Sequence, residues 1–316
     1  MRIRASLGTL IALGLIRGIY TIEPGIAYVM QYDPRGCKAS CLFCAQSSSS
    51  KASKELLSRV VWPVTDLNSL VSALKSTKKF RRVCLQTIIK DNFIEEAHEI
   101  VKTISAIGMN VSLSITPIPY NELVRFKNEG VDYLGVGLDA FSEEIFFKVK
   151  KPYSWQVYWK FIDYGVKVFG KGKVIVHLIV GLGETLSEAL KVLEKVYNIG
   201  AEASLFAYTP VKGTPLANLR QPSHTTYRFL QLVTELLSRG YRLNDIIIFK
   251  NGKYFIRDKL IDDEILFKAL ITRGCPGCNR PFYNESPKIE PYNFPNIDYL
   301  GKYINNIKKE ISNIVA

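Results

Sequence analysis

Histidine is scarce in this chain of 316 residues: three, at His98, His177 and His224. None has a ligand-type neighbour at metal-site spacing, so the sequence offers no imidazole-based metal centre. Each is expected to be a hydrogen-bonded structural residue, with His98, in the middle of a helix, at the surface. A long basic block is also missing. The densest patch, Lys78-Lys79-Phe80-Arg81-Arg82, runs into a strand and does not read as a nucleic-acid arm. No apolar run is long enough to span a bilayer. The longest candidate, Leu7 to Ile16, follows Arg2 and Arg4, ends at Arg17 and lacks a small-residue cleavage site. It is expected to form a capping helix. No linker and no low-complexity segment is visible beyond the four serines Ser47 to Ser50.

What is present is basic and rich in apolar residues. Lys and Arg number 42 against 29 Asp and Glu, a net charge of +13, and 47% of residues are hydrophobic. The charge implies an acidic partner, protein or nucleic acid, and cannot by itself separate them. The apolar share and the length suit one large domain with extensions.

Five of the six cysteines fall in two short motifs, a pattern of metal ligation in a reducing cytoplasm rather than of disulfides. Cys37, Cys41 and Cys44 stand at C-x3-C-x2-C spacing. Thiolates are the ligands iron–sulfur clusters take, and three of them leave one iron of a four-iron cube without a protein ligand. An electron-carrying cluster has a fourth cysteine close by, whereas the next one here is Cys84. A zinc site would use Cys41 and Cys44 and leave Cys37 superfluous. Cys275-Pro276-Gly277-Cys278 is a tight turn aiming two sulfurs one way. No second pair remains to make it a zinc site. With Cys84 it supplies three thiolates, enough for a second cluster. That requires Cys84 to point inward and the C-terminal segment to fold back over the barrel mouth. Otherwise Cys84 is a small buried core residue.

The order of elements follows from periodicity and caps. Strands are expected at 26–32, 82–87, 110–115, 133–138, 174–180 and 204–208. Helices are expected at 66–76, 92–107, 120–128, 154–168, 185–198 and 225–238. Asn92 and Glu95 read as helix-opening residues, Thr185 and Glu188 as a capping box. Asn251-Gly252 reads as a hairpin turn. Two more helical stretches, 262–271 and 299–314, close the chain. Strand–helix repetition gives an α/β fold, a full or partial (β/α) barrel of TIM type. The expected divisions are an N-terminal capping helix (1–22), the barrel (23–250) and a C-terminal extension (251–316) that closes the barrel mouth. In such barrels the loops after the strands carry the active site. The cysteine loop follows the first strand. Gln86 and Thr87 end the second, Ser112 and Ser114 alternate on the third, Asp139 ends the fourth, and Gly181-Leu182-Gly183-Glu184 follows the fifth.

The residues Cys37, Cys41, Phe43 and Cys44 resemble the C-x3-C-x-aromatic-C signature of the radical S-adenosylmethionine (SAM) enzymes. The resemblance implies a [4Fe-4S] cluster whose open iron is chelated by SAM, one-electron cleavage of the sulfonium, and a 5′-deoxyadenosyl radical that abstracts hydrogen. It implies that Asp139 holds the SAM ribose, that Gln86 and Thr87 lie near the methionyl amine, that Ser114 reaches SAM, and that Gly181 and Glu184 belong to the adenine loop. That last match is partial, because His177 stands where the pattern has its first glycine.

Cys44-Ala45-Gln46-Ser47, Arg82 to Gln86 and Pro210 to Leu216 resemble biotin synthase. The likeness runs from about Ile26 to Leu216. It departs at Gly135-Val136-Gly137, where the family is rich in asparagine. It departs again in the second cysteine set: biotin synthase uses three barrel cysteines and an arginine. Gly274 to Pro281 and Tyr283-Asn284-Glu285 resemble the two-protein lipoyl synthases of archaea. That resemblance implies a sulfurtransferase inserting sulfur at C6 or C8 of an octanoyl chain, with an auxiliary [4Fe-4S] cluster on Cys84, Cys275 and Cys278 as sulfur donor. The implied partners are an acidic lipoyl-carrier protein or octanoyl-lysine peptide, a sister radical SAM subunit and an electron donor. No membrane partner and no nucleic acid is expected. Two alternatives stand beside it: biotin synthase acting on dethiobiotin, and a radical SAM enzyme modifying RNA.

Overall fold

The computed structural model describes all 316 residues. The chain runs β1 (Arg2–Ala5), α1 (Leu7–Ala12), β2 (Ala27–Gln31), β3 (Leu56–Leu57), β4 (Val60–Val61), β5 (Val64–Asp66), α2 (Leu67–Ser76), β6 (Arg82–Gln86), α3 (Phe93–Ser105), β7 (Asn110–Ser114) and α4 (Tyr120–Asn128). It continues through β8 (Val131–Asp139), α5 (Glu143–Lys148), α6 (Trp155–Phe169), β9 (Val174–Val180), α7 (Leu186–Ile199), β10 (Glu202–Ala207) and α8 (His224–Ser238). The last elements are α9 (Leu243–Ile246), β11 (Ile247–Lys250), β12 (Lys253–Ile256), a 3-10 turn (Asp258–Leu260), α10 (Asp263–Leu270), α11 (Ile297–Gly301) and α12 (Ile304–Ile311).

Eight strands form one sheet in the order β10-β9-β8-β7-β6-β2-β1-β5. The six from β2 to β10 are parallel, joined by helices, as the strand–helix alternation predicts. β10 and β5 do not pair, so the sheet is a partial TIM-like barrel with an open side. The continuous Val-Ile-Val-His-Leu-Ile-Val of β9 is the composition of a strand covered on both faces. The capping box at Thr185 and Glu188 is formed, and Gly200 ends α7 in the left-handed region.

Local expectations fail in three places. Residues 1–22 are not a helix throughout: Arg2–Ala5 lengthens the sheet, antiparallel to both β2 and β5, because Ile3 and Ala5 bury there. Asn92 precedes α3 in a left-handed conformation without a side-chain cap, and Glu95 pairs with Arg125 instead. His98 is buried, not exposed. It stacks on Phe126 with ring centroids 3.6 Å apart and bonds Glu129 at 2.5 Å and Glu122 at 2.9 Å. The apolar stripe of α3 continues through it, and two carboxylates satisfy its ring.

The C-terminal segment fills the open side. Asn284 donates to the Ala207 carbonyl of β10 at 2.7 Å, and Gly25, just before β2, donates to Asn279 at 2.8 Å. A methyl group on Gly25 would lie 2.2 Å from the Gly277 oxygen, so glycine is required where the two chains cross. The turn Cys275–Cys278 does not cover the mouth, as expected from sequence. It sits at the opposite end, beside Arg82, Asp132 and Ser112, at the amino-terminal ends of β6, β7 and β8. The open side between the sheet edges β10 and β5 gives the chain a path to the barrel floor.

Candidate active site

Inward-facing residues along the strands surround a cavity of about 610 Å³, lined mostly by apolar side chains. Cys44 and Phe43 form part of its upper wall. Cys84, Cys275 and Cys278 line it further down, and it reaches solvent beside Ile19, which is almost fully exposed. Cys44 of the first cysteine set and all three cysteines of the second thus face one space, while Cys37 and Cys41 stand behind its wall.

At the mouth, the loop after β2 carries Cys37, Cys41 and Cys44. Backbone N–H groups of Ala39 and Ile89 donate to the Cys37 sulfur at 3.4 and 3.2 Å. Burial, then the neighbouring thiols Cys41 and Cys37, pushes Cys44 up to about 12. Burial also raises Cys41. Thiolates here need a cationic centre against them, which is the chemistry of the donor set. In neither triad do the sulfurs close to within 4.8 Å of one another, as ligands of one zinc ion would. The residues fit a cluster. Only His224, Glu290 and Glu310 approach that closely, and Arg228 already pairs with Glu290 at 3.0 Å.

Asp139 ends β8 at φ +64°, a conformation uncommon outside glycine, beyond a register irregularity between Gly137 and Asp139. The bend aims its carboxylate into the cavity. There it meets Lys151 at 2.6 Å, both side chains largely buried. Burial opposes the Lys151 charge, yet Asp139, with Tyr158 and Cys41, raises its ammonium well above the usual lysine range. Lys151 also lies 5.8 Å over the Phe43 ring, so one buried cation joins the cysteine loop to Asp139. The sequence carried no signal for Lys151, one of several lysines after α5.

At the floor, the second strand aims Cys84 inward. Gln86 donates to its sulfur at 2.9 Å. Burial, then Cys275 and Cys278, pushes Cys84 well up. Burial likewise brings Cys275 to about 11, opposed by Ser112 and Arg82. Cys278 lies 3.6 Å from the Tyr28 hydroxyl. Arg82 grips Asp132 with both nitrogens at 2.5 and 2.6 Å and Ser112 at 2.9 Å, which fixes three strand starts beneath these sulfurs. Three converging half-buried thiols, two of them, Cys84 and Cys275, pushed up by burial and by their neighbours, fit a second cluster on the same grounds as the first.

Other expected residues are placed as follows. Ser114 and Gln86 line the cavity; Thr87, Gly181 and Glu184 do not. Thr87 ties the end of β6 to the Ser114 carbonyl at 3.0 and 3.1 Å. Glu184 turns back and accepts from the N–H groups of Gly181 and Leu182 at 2.6 and 2.9 Å, so it shapes its own loop. Gly181, at φ +105°, has no room for a methyl group against Pro222. Two cavity residues escaped the sequence reading. Arg280 stacks 3.8 Å over Phe206, and its Nε and Nη1 have no partner in the protein. His177 lines the cavity, although it was expected to be a bonded structural residue. Their only signal was inward parity on a strand and proximity to a cysteine turn.

A parallel barrel with a three-cysteine loop after its first parallel strand, beside a deep and mostly apolar cavity, is the architecture of enzymes that hold reactive intermediates away from water. Residues 33–196 match the Radical SAM superfamily, and the chain belongs to it. Among curated proteins it is 26% identical over 191 residues to biotin synthase of Clostridium tetani, 57% of this chain and 55% of that one. It is 25% identical over 202 residues to biotin synthase of Rhodopseudomonas palustris, 59% of this chain and 55% of that one. The chain thus spans about half the length of these relatives. Among solved structures, methylornithine synthase superposes with TM-score 0.55 at 15% identity, over 68% of this chain and 63% of that one. The FeFe-hydrogenase maturase HydG of Carboxydothermus hydrogenoformans gives 0.53 at 16%, over 87% and 64%. Both show the fold. Membership implies a [4Fe-4S] cluster and SAM as cofactors.

Proposed function

We propose that this chain is a sulfurtransferase that inserts sulfur into a lysine-bound octanoyl chain, as one component of a lipoyl synthase. The observation that carries the reading is the convergence of Cys84 with Cys275 and Cys278 at the cavity floor, across from the SAM-side loop. Cys37, Cys41 and Cys44 would hold the SAM cluster, and the floor triad the auxiliary one. When bound, these groups supply the electron that cleaves SAM and the sulfide that is inserted. The chain's own part is to orient and exclude. The apolar wall accepts an aliphatic chain and keeps water from a carbon radical. Asp139, held by Lys151, accepts the ribose hydroxyls. Ser114 and Gln86 supply further polar contacts to SAM. Biotin synthase is the second reading, favoured by the names of the relatives. The C-terminal cysteine pair lies outside the matched superfamily region and favours the first.

The deciding experiment is mass spectrometry of an octanoyl-lysine peptide incubated with the reconstituted protein, SAM and a reductant, alone and with a sister subunit. A thiolated peptide is expected. Conversion of dethiobiotin with no peptide product would overturn the proposal in favour of the second reading.

Asp139→Asn keeps the shape and removes the charge. It should weaken SAM binding by about 1.5–3 kcal/mol while iron content is unchanged. An unaltered dissociation constant would remove Asp139 from the ribose site.

The +13 charge suits an acidic carrier domain. Turnover on carrier protein should fall as salt rises, and turnover on a short neutral peptide should fall less. Equal salt sensitivity would deny the charge a docking role.

A further inference from the structure

Gly135 and Gly137 leave the inner face of β8 without side chains just below Asp139. The residue paired with Gly137 on the next strand is His177. Its ring leans over β8: a methyl group on Gly135 would stand 3.1 Å from its Cε1. On the other side Phe206 packs edge-on, with ring centroids 5.3 Å apart. These two contacts fix the imidazole and use neither nitrogen. His98 and His224 both bond carboxylates, whereas no protein group engages the nitrogens of His177. The ring is half-buried on the cavity wall with both nitrogens free of protein partners, so they are open to a ligand in the cavity. Burial, then the Arg280 guanidinium, brings His177 down to about 4, so the ring is neutral and offers one N–H and one lone pair.

Ser114, Asp139 and His177 lie on three consecutive strands and face the same space. A ribose hydroxyl both donates and accepts. A carboxylate can only accept from it, and Lys151 already holds one oxygen of Asp139. The hydroxyl's lone pairs need a donor, and β8 has only glycine to offer at that level.

We propose that His177 is a nucleoside-positioning residue, whose neutral imidazole holds a ribose hydroxyl of SAM together with Asp139 and supplies from β9 the polar contact that Gly137 cannot supply from β8. The inference rests on the placement of SAM described above and is independent of which substrate receives sulfur.

The test uses the cluster-reconstituted protein and equilibrium dialysis with 5′-deoxyadenosine and its 2′,5′- and 3′,5′-dideoxy analogues. None of these chelates iron through a methionyl group, so binding reads the nucleoside contacts. Wild type should lose about tenfold in affinity when the contacted hydroxyl is removed. His177→Ala should bind 5′-deoxyadenosine about tenfold more weakly and no longer distinguish that analogue. His177→Gln, which keeps a donor and an acceptor, should stay within about threefold of wild type. Wild-type affinity in His177→Ala, or full discrimination retained in it, overturns the proposal. Should His177→Ala lose iron, the glutamine variant and the wild-type analogue series decide, and a wild type indifferent to both hydroxyls overturns it. A protein that binds the nucleoside as expected but thiolates no peptide would sink the sulfur-insertion reading and leave this one standing.

Discussion

Replacing Cys84, Cys275 and Cys278 together with alanine is expected to abolish sulfur transfer, remove about half of the reconstituted iron and leave reductive cleavage of SAM in place. The expectation follows from where the sulfurs sit. They lie at the amino-terminal end of the barrel, beside Tyr28, Ser112 and Arg82, while the SAM-side loop lies at the carboxyl-terminal end of β2. Of the residues that would bind SAM, a change at the floor touches only Gln86, which donates to the Cys84 sulfur, and leaves the cysteine loop and Asp139 in place. Cys84 and Cys275 are pushed upward mainly by burial, so removing the whole set relieves that penalty instead of leaving one isolated thiol. Iron counting and 5′-deoxyadenosine assays on the same sample check both halves. Two clusters' worth of iron in the triple variant, or thiolated peptide from it, would show that the floor triad holds no sulfur donor. What would then stand is a radical SAM barrel of another specificity.

Cys41→Ala should reduce 5′-deoxyadenosine formation to the level of buffer. Cys41 is the most buried of the three loop cysteines, and Lys151 is the cation beside it. Without its thiolate the loop offers two ligands, too few to hold a four-iron cluster with one open corner. The Lys151–Asp139 pair remains, so nucleoside binding should survive where cleavage does not. Liquid chromatography of the quenched reaction gives the answer, and undiminished cleavage would remove the loop from SAM chemistry.

The barrel was legible because its signals are local. Alternating strand and helix patterns, the capping box at Thr185 and the hairpin at Asn251-Gly252 each report the backbone within a few residues. The short elements went unread. β1 contributes four residues whose partners lie 24 or more positions away, and β3, β4 and α5 are too brief for a period to show. His98 misled because a helix that buries a histidine has the same spacing as one that exposes it. Only the converging carboxylates of Glu122 and Glu129 distinguish the two.

The site divides along the same line. C-x3-C-x2-C is a contiguous loop, so its chemistry is written in eight adjacent residues, and so is the turn Cys275–Cys278. The joining of that turn to Cys84, nearly two hundred positions earlier, depends on the open side between β10 and β5 and on two glycines that let the chains cross. Sequence placed the turn over the mouth; the strand gap carries it to the floor. The Lys151–Asp139 pair, the unpartnered Arg280 and the bare face of β8 that admits His177 are likewise facts of register and tilt. By itself the sequence determined the fold class, the family and the ligand types, because each rests on neighbours in the chain. Which residues share the cavity, at which end and in what ionisation was decided by tertiary structure, because burial and long-range pairing set those energies.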